Sequence, residues 1–291
     1  MKGALFLGCT IPVRAQHYEV SAREVAKHLG IELIDIPHFG CCGFPVKSVD
    51  HKKYLIMAAR NLALAEKEGL DIWALCSACY GSLSEANHLL KENEEMKKEV
   101  NQVLKEFGLK YEGKVEVKHF IRVLYEDYGL SNLRLKVRKS LEGLNFAPHY
   151  GCHYLRPSKI HKTGEDVEFP KSLDELIEIT GAKSLSYYNK LNCCGGAVLA
   201  IDEELALRIA NEKLKEVVKS GADAIILICP FCDIMYEQNQ RRINSKLGEN
   251  YKIPVLFYTQ ILGLALGIPV EKLGFEFNRI KPKDILSFLG K

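Results

Sequence analysis

Ten cysteines constrain this sequence most, because they fall into two series with the same order. Each series contains a single cysteine, an adjacent pair followed by glycine, and a C-x-x-C. The members are Cys9, Cys41, Cys42, Cys76 and Cys79 in the first series, and Cys152, Cys193, Cys194, Cys229 and Cys232 in the second. The pair and the C-x-x-C are separated by 33 residues in the first series and by 34 in the second. This repetition predicts two structural repeats.

Short apolar runs lead into the single cysteine and into the C-x-x-C of each series, and they are typical of buried parallel strands. These predicted strands cover residues 4–8, 71–75, 145–150 and 223–228. Segments with helical periodicity and helix-forming residues follow the cysteine pairs and the C-x-x-C motifs. These predicted helices cover residues 51–68, 82–107, 202–220 and 234–246.

Strands that alternate with helices indicate an α/β fold with two tandem pseudo-symmetric repeats, each a parallel sheet flanked by helices. We expect one domain over residues 1–140 and another over 141–291, connected by the basic stretch 128–144. Ligands of such sheets lie beyond the carboxyl ends of the strands, which is where the cysteines of each half are predicted. Each half would thereby bring five thiolates to one centre.

The remaining composition excludes several functional classes. The formal net charge of +3, without a clustered basic face, argues against nucleic-acid binding. No stretch of about 18 apolar residues is present, so we expect no membrane span and a soluble, cytoplasmic protein. Cytoplasmic reductants keep thiols reduced, so metal or redox chemistry is a better interpretation of ten cysteines than structural disulfides.

Five thiolates per half do not match the usual ligand counts. Zinc and cubane [4Fe–4S] sites each take four thiolates, and a thioredoxin-like interpretation of the C-x-x-C gives the adjacent pairs no role. Neighbouring side chains on an extended backbone point to opposite faces, so each pair needs a sharp turn to serve one centre. Gly43 and Gly195 supply the conformational freedom for that turn.

With these motifs and the segments GCTIPVR (8–14) and HYGCHYLRPS (149–158), the chain resembles the B subunits of CoB–CoM heterodisulfide reductases, within the larger Cys-Cys-Gly domain family. The resemblance covers essentially the whole chain. It implies that each series of five cysteines holds one noncubane [4Fe–4S] cluster, and that the two clusters face each other between the halves. The implied enzyme is an oxidoreductase of methanogenesis that reduces the CoM-S-S-CoB heterodisulfide to coenzyme M and coenzyme B.

The resemblance also implies protein partners. The sequence contains no bacterial ferredoxin motif and no flavin-dinucleotide fingerprint, so electrons must arrive from another chain. The family supplies a ferredoxin-like C subunit, expected as the direct partner, and a flavin-bearing A subunit, with a hydrogenase or formate dehydrogenase upstream. Relatives in thiol:fumarate reductase and in lactate or glycerol-3-phosphate oxidation systems use the same domain, so an electron-relaying protein of that kind is the alternative, and a zinc-stabilised scaffold is a further one.

The substrate known for the family carries sulfonate, carboxylate and phosphate groups, which require cationic donors. Arg14 and Arg156 occupy matching places after Cys9 and Cys152, and Lys47 and Lys159 are further candidates. Salt bridges are an equally good interpretation of the arginines and a better one of the lysines. Three histidines also lie near cysteines in sequence, and we favour packing or support of the ligands over proton transfer for them. They are His38, His149 and His153.

Overall fold

A computed structural model describes residues 1–289, and the last two residues of the predicted second domain lie outside this range. Eight strands form two separate four-stranded sheets, one in each half of the chain. The first sheet contains β1 (Lys2–Phe6), β2 (Glu32–Asp35), β3 (Ile72–Ala74) and β4 (Val117–His119). The second contains β5 (Asn145–His149), β6 (Lys183–Ser184), β7 (Ala224–Leu227) and β8 (Val255–Phe257).

Helices cover the sheets in both halves. In the first half they are α1 (Ile11–Arg14), α2 (Gln16–Leu29), α3 (His51–Lys67), α4 (Ser77–Glu92), α5 (Glu94–Leu104), α6 (Phe120–Arg122) and α7 (Leu130–Lys136). In the second they are α8 (Ser158–His161), α9 (Ser172–Glu178), α10 (Glu203–Lys219), α11 (Pro230–Asp233), α12 (Gln240–Leu247), α13 (Tyr258–Ala265) and α14 (Lys283–Leu289). Two π-helical segments, Val123–Gly129 and Ile234–Gln238, and three 3₁₀ turns, Lys105–Phe107, Val270–Lys272 and Phe275–Phe277, complete the described secondary structure.

All strand pairs are parallel, and the two sheets have the matching orders β2-β1-β3-β4 and β6-β5-β7-β8. The predicted α/β class with tandem pseudo-symmetric repeats is therefore confirmed. In each sheet the strand order reverses between the first and third strands of the half, which is the position where such sheets form a crevice. The strands β3 and β7 are buried throughout, as expected for sheets covered on both faces.

The two halves share one core. Helix α2 of the first half packs on α13 of the second, where the Tyr18 ring stacks on Phe257 with centroids 4.0 Å apart. Beside this stack, the Ser21 and Thr259 hydroxyls are 2.6 Å apart in a buried hydrogen bond. The division at residues 140 and 141 stays a prediction, and each half depends on the other for burial of this interface.

Most predicted elements occur with shifted ends. Helices α3 and α10 match their predictions within one residue, and Asp50 and Asp202 cap them at equivalent positions. The single helix expected over residues 82–107 begins earlier and is split at Asn93, whose side chain accepts from Met96 N and starts a new helix. The helix expected over 234–246 begins as a π segment, and the predicted connection 128–144 contains α7.

Candidate metal centre

The cysteines of each half gather at the carboxyl edge of its sheet. Cys9 follows β1 and Cys76 follows β3, so they flank the crevice of the first sheet. Cys152 and Cys229 follow β5 and β7 in the same way. Parallel strands all end at the same edge, so residues far apart in sequence meet there.

The adjacent cysteines lie on the sharp turn that their spacing requires. Gly43 and Gly195 have φ values of 84° and 83°, a region that disfavours residues with a Cβ. The Gly195 N–H donates to Cys193 Sγ at 3.3 Å, and the Gly43 N–H donates to Cys41 Sγ at 3.4 Å. Glycine thus lets the backbone itself support the first sulfur of each pair.

The C-x-x-C motifs sit at helix starts. Cys76 is the N-cap residue of α4 and Cys229 that of α11, so the second cysteine of each motif lies in the first turn. Unpaired backbone N–H groups at a helix start favour negative charge, which favours the thiolate over the thiol.

Each half encloses its five thiols around one cavity. One small cavity is lined by all five cysteines of the first series, and another by all five of the second. None of the ten is in a disulfide. In each set two cysteines are exposed or half-buried at the rim and the other three are buried, with Cys9 and Cys193 the exposed ones. Two groups of five soft donors fit two thiolate-ligated metal centres.

The thiols within each set interact strongly. Hydrogen bonds from Cys41 and Cys79 lower the pKa of Cys42, and those from Cys152 and Cys194 lower the pKa of Cys193. Their neighbours have raised pKa values because they hold the shared protons. A metal centre that displaces these protons relieves the crowding of partly charged sulfurs.

The two cavities are neighbours. Phe44, Ala78 and Phe231 line both of them, and the rings of Phe44 and Phe231 are 6.5 Å apart. A hydrogen bond between the Cys76 and Cys229 side chains connects the halves and raises the pKa of Cys76. Hydrogen bonds with Cys232 and then with Cys76 lower the pKa of Cys229. Two metal centres held here would be separated by a thin, mostly apolar wall.

The second set has a buried cationic support that the first set lacks. His149 Nε2 lies 3.2 Å from Cys232 Sγ, and Lys213 Nζ lies 3.2 Å from His149 Nδ1 and donates to Lys190 O at 2.9 Å. Lys213 is 1% exposed, and burial lowers its pKa to about 7 although nearby thiolates raise it. Burial and the Lys213 charge together lower the pKa of His149.

In the first half, Phe6 ends β1 where His149 ends β5, and Asn61 occupies the position of Lys213 when the helix caps Asp50 and Asp202 are aligned. The Asn61 amide bonds Gly40 N and Cys41 O and carries no charge. Sequence reasoning missed Lys213, although a lysine on the apolar stripe of α10 between Ala210 and Leu214 is a signal of a buried charge.

None of the four predicted substrate-binding cations lines either cavity. Arg14 donates to Gln238 Oε1 of the other half at 2.8 Å, and Lys47 pairs with Glu85. Arg156 pairs with Glu168 at 2.8 Å on the surface, and Lys159 is exposed. Lys47 and Arg156 thus form salt bridges, whereas Arg14 contacts a neutral amide, and substrate binding by the four residues stays a prediction.

The three histidines fall in different places. His153 lines the second cavity with its ring edge on Phe44 at 5.0 Å, and burial lowers its pKa. His149 contacts Cys232, while His38 is exposed away from both cavities.

Among the described residues 1–289, no helix is both long and apolar enough to cross a membrane.

Comparisons with known proteins point to the same motifs. The family described as "Cysteine-rich domain" (CCG) matches residues 3–84 and 146–237. The chain is 40% identical to the B subunit of the ferredoxin:CoB-CoM heterodisulfide reductase of Methanosarcina mazei, over 98% of this chain and 96% of that protein. It is 34% identical to the 8-methylmenaquinol:fumarate reductase membrane anchor subunit of Wolinella succinogenes, over 95% of this chain and 96% of that one.

A solved structure supports the fold. A hypothetical protein from Helicobacter pylori superposes with a TM-score of 0.80 at 20% identity, over 96% of this chain and 52% of that chain. At this identity the likeness shows a shared fold and nothing of the chemistry.

Proposed function

This chain belongs to the family of heterodisulfide reductase B subunits built from two cysteine-rich domains, and we propose that it carries the site where the CoM-S-S-CoB heterodisulfide is reduced to coenzyme M and coenzyme B. One observation carries the proposal: two complete five-thiol cavities share a wall of Phe44, Ala78 and Phe231. A substrate with two bonded sulfur atoms matches a pair of adjacent centres. This activity would place the chain in methanogenesis.

The family resemblance assigns one noncubane [4Fe–4S] cluster to each set. The first is held by Cys9, Cys41, Cys42, Cys76 and Cys79, and the second by Cys152, Cys193, Cys194, Cys229 and Cys232. When bound, the clusters supply the two electrons that a disulfide needs. The free thiols, the five donors per cavity and the glycine turns that bring N–H groups to sulfur support this assignment.

The chain's own residues set the surroundings of the reaction. Phe44 and Phe231 keep the space between the centres apolar, which excludes water and strengthens electrostatic interactions there. His149 orients Cys232, and Lys213 holds a positive charge behind His149. His153 lines the cavity of the second set and is our candidate for contacting a substrate group there.

Electrons reach this site from other chains in our proposal. A ferredoxin-like C subunit is the direct partner and a flavin-bearing A subunit lies behind it, with a hydrogenase or formate dehydrogenase upstream. We propose that the assembly works in the cytoplasm. The exposed rims at Cys9 and Cys193 offer short electron paths from a docked partner to either set.

Turnover by single-set variants tests the proposal. The chain is reconstituted with iron and sulfide without oxygen, reduced with a viologen dye, and supplied with CoM-S-S-CoB while released thiols are counted. Cys42→Ala and Cys194→Ala each remove a ligand from one set, and each is expected to abolish thiol release while the other set keeps its iron. Turnover that survives in either variant would overturn a joint role for the two sets.

The relative from a menaquinol:fumarate reductase favours a second candidate function. In that case the chain relays electrons in a fumarate-reducing, or lactate- or glycerol-3-phosphate-oxidising, system without acting on a disulfide itself. A chain that exchanges electrons with a quinol analogue, yet leaves the heterodisulfide intact, would support this candidate.

A further inference from the structure

The interface between the halves contains a second cluster of metal-binding side chains, distinct from the thiols. His17 comes from α2 of the first half, whereas Asp233 ends α11 and Glu237 lies in the π-helical segment that follows. One possible ligand atom from each lies within 4.8 Å of the other two. The three side chains are 2%, 0% and 3% exposed, so they lie in the interior.

Hydrogen bonding in this cluster is incomplete. Neither ring nitrogen of His17 has a partner, and Oδ1 of Asp233 has none either. His17 Nε2 lies 3.5 Å from Asp233 Oδ1, too far for a good hydrogen bond. Leaving a buried polar atom without a partner destabilises the folded state, and His17 Nε2 and Asp233 Oδ1 are two such atoms on adjacent side chains.

The carboxylates are held in place from outside the cluster. Oδ2 of Asp233 accepts from Gln238 Nε2 at 2.9 Å. Oε1 of Glu237 accepts from the Arg279 N–H at 3.0 Å and from Asn278 Nδ2 at 3.3 Å. These donors fix each side chain through one oxygen, and none of the donor groups is a cation that neutralises a carboxylate.

The nearby cations are engaged elsewhere. Arg14 and Arg279 both direct a guanidinium N–H to Gln238 Oε1, at 2.8 and 3.4 Å. The cluster therefore contains two buried carboxylates and one imidazole, and no lysine or arginine side chain. An uncompensated pair of buried carboxylates is costly, and a divalent ion would balance it.

We propose that His17, Asp233 and Glu237 bind a divalent transition-metal ion, with zinc the best fit, that joins the two halves beside the second cysteine set. One imidazole and two carboxylates are ligands that zinc accepts, whereas magnesium and calcium prefer oxygen alone. The site is independent of the proposed disulfide chemistry. It links α2 to the end of α11, which contains Cys232, and to the π-helical segment that follows.

The repeat itself does not require this cluster. Aligning Cys79 with Cys232 places Tyr80 at the position of Asp233 and Ser84 at that of Glu237. There Tyr80 stacks on His161 of the other half with ring centroids 4.3 Å apart. Stacked rings thus occupy one interface position, and three side chains of metal-ligand type occupy its counterpart in the other repeat. This difference points to a separate role for the three side chains.

Zinc content and coordination test this inference on the full, iron-loaded chain. The protein is incubated with one equivalent of zinc, dialysed, and measured for bound zinc and for its X-ray absorption spectrum. We expect about one zinc per chain with nitrogen and oxygen ligands, and at least a tenfold weaker affinity in Glu237→Gln and in His17→Gln. Glu276→Gln, an exposed carboxylate of the same C-terminal segment, is the control and should retain the ion.

Iron content is measured in parallel, because zinc in a cysteine set would show sulfur ligands and displaced iron. Zinc-dependent thermal stabilisation of the wild type provides a readout if one variant fails to fold. Absence of nitrogen- and oxygen-ligated zinc in the wild type, or equal zinc affinity in Glu237→Gln, would overturn the site. Neither result affects the disulfide assay, so the two proposals can fail separately.

Discussion

The charge on Lys213 should make the two centres electrochemically different. Its ammonium contacts His149, which contacts Cys232, and both contacts are 3.2 Å long. With the imidazole between them, the ammonium lies about 9 Å or less from Cys232 Sγ, where an effective dielectric constant of about 20 gives about 2 kcal/mol of attraction to a unit negative charge. That attraction favours the reduced, more negative form of the second centre.

Replacing Lys213 with methionine removes the charge and keeps most of the side-chain volume. At about 2.3 kcal/mol per 100 mV, the lost attraction should lower the reduction potential of the second centre by about 80 mV. The measurement is a potentiometric titration at pH 6, followed by EPR and visible absorption. At this pH Lys213 is charged, since its pKa is about 7.

Two further samples make the result specific. Lys215→Met removes an exposed charge from the same helix and should leave both potentials unchanged, because solvent screens it. Repeating the titration in the Cys42→Ala background isolates the second centre. An equal shift of both centres, or no shift in Lys213→Met, would refute the assignment of Lys213 to the second set.

Three other perturbations follow from the same structure. In the metal-free protein, burial lowers the pKa of Lys213 below its value in the unfolded chain, so the unfolded chain binds the extra proton above pH 7. The free energy of unfolding of the wild type therefore rises with pH in this range. Measured by urea unfolding, the stability advantage of Lys213→Met over wild type should shrink by about 2–3 kcal/mol between pH 7 and pH 9. Gly195→Ala should cost about 2–3 kcal/mol, because φ is 83° and a Cβ would lie 2.9 Å from Ala206 O; urea unfolding and iron loading should both fall. Arg122→Met should lower the free energy of unfolding by about 3 kcal/mol, since it leaves Glu165 of the other half without its buried cation at 3.0 Å.

Each of these has a matched control. For Lys213→Met the control is the wild type at each pH, because the contribution of cysteine titration to stability is common to both and cancels in the difference. Gly221→Ala has a similar φ of 74° but nothing within 4 Å of its Cβ, so it should cost only about 1 kcal/mol. Arg208→Met removes an exposed helix pair and should change stability by less than about 0.5 kcal/mol. Equal costs within a pair of variants would contradict the corresponding argument.

The cysteine series predicted most of the fold because its members mark the ends of strands. Cys9, Cys76, Cys152 and Cys229 each follow a strand directly or within three residues, and the helices after the adjacent pairs begin at the aspartate caps. Strand β4 went unpredicted because it is three residues long and its sequence, VKH, has no apolar pattern. Pairing beside β3, rather than its own propensity, makes it a strand.

The surroundings of the site were harder to predict for a physical reason. Lys213 and His149 act through contacts between residues 64 positions apart, and no local pattern reports such a contact. The substrate cations were inferred from matching places in the repeat, yet Arg14 and Lys47 turn to Gln238 and Glu85. The partner of a long side chain depends on which residues surround it in the tertiary structure, and its place in a sequence repeat does not determine these neighbours.

EPR spectroscopy of the iron-loaded chain with its substrate tests the central claim most directly. Coenzyme M or CoM-S-S-CoB is added to the oxidised protein, and the spectrum is compared with those of Cys42→Ala and Cys194→Ala. We predict a thiol-dependent signal in the wild type that changes or disappears in both variants, because the proposed reaction puts substrate sulfur beside both centres. An iron EPR signal that does not change when the thiol or the disulfide is added would contradict reduction of the disulfide at this site.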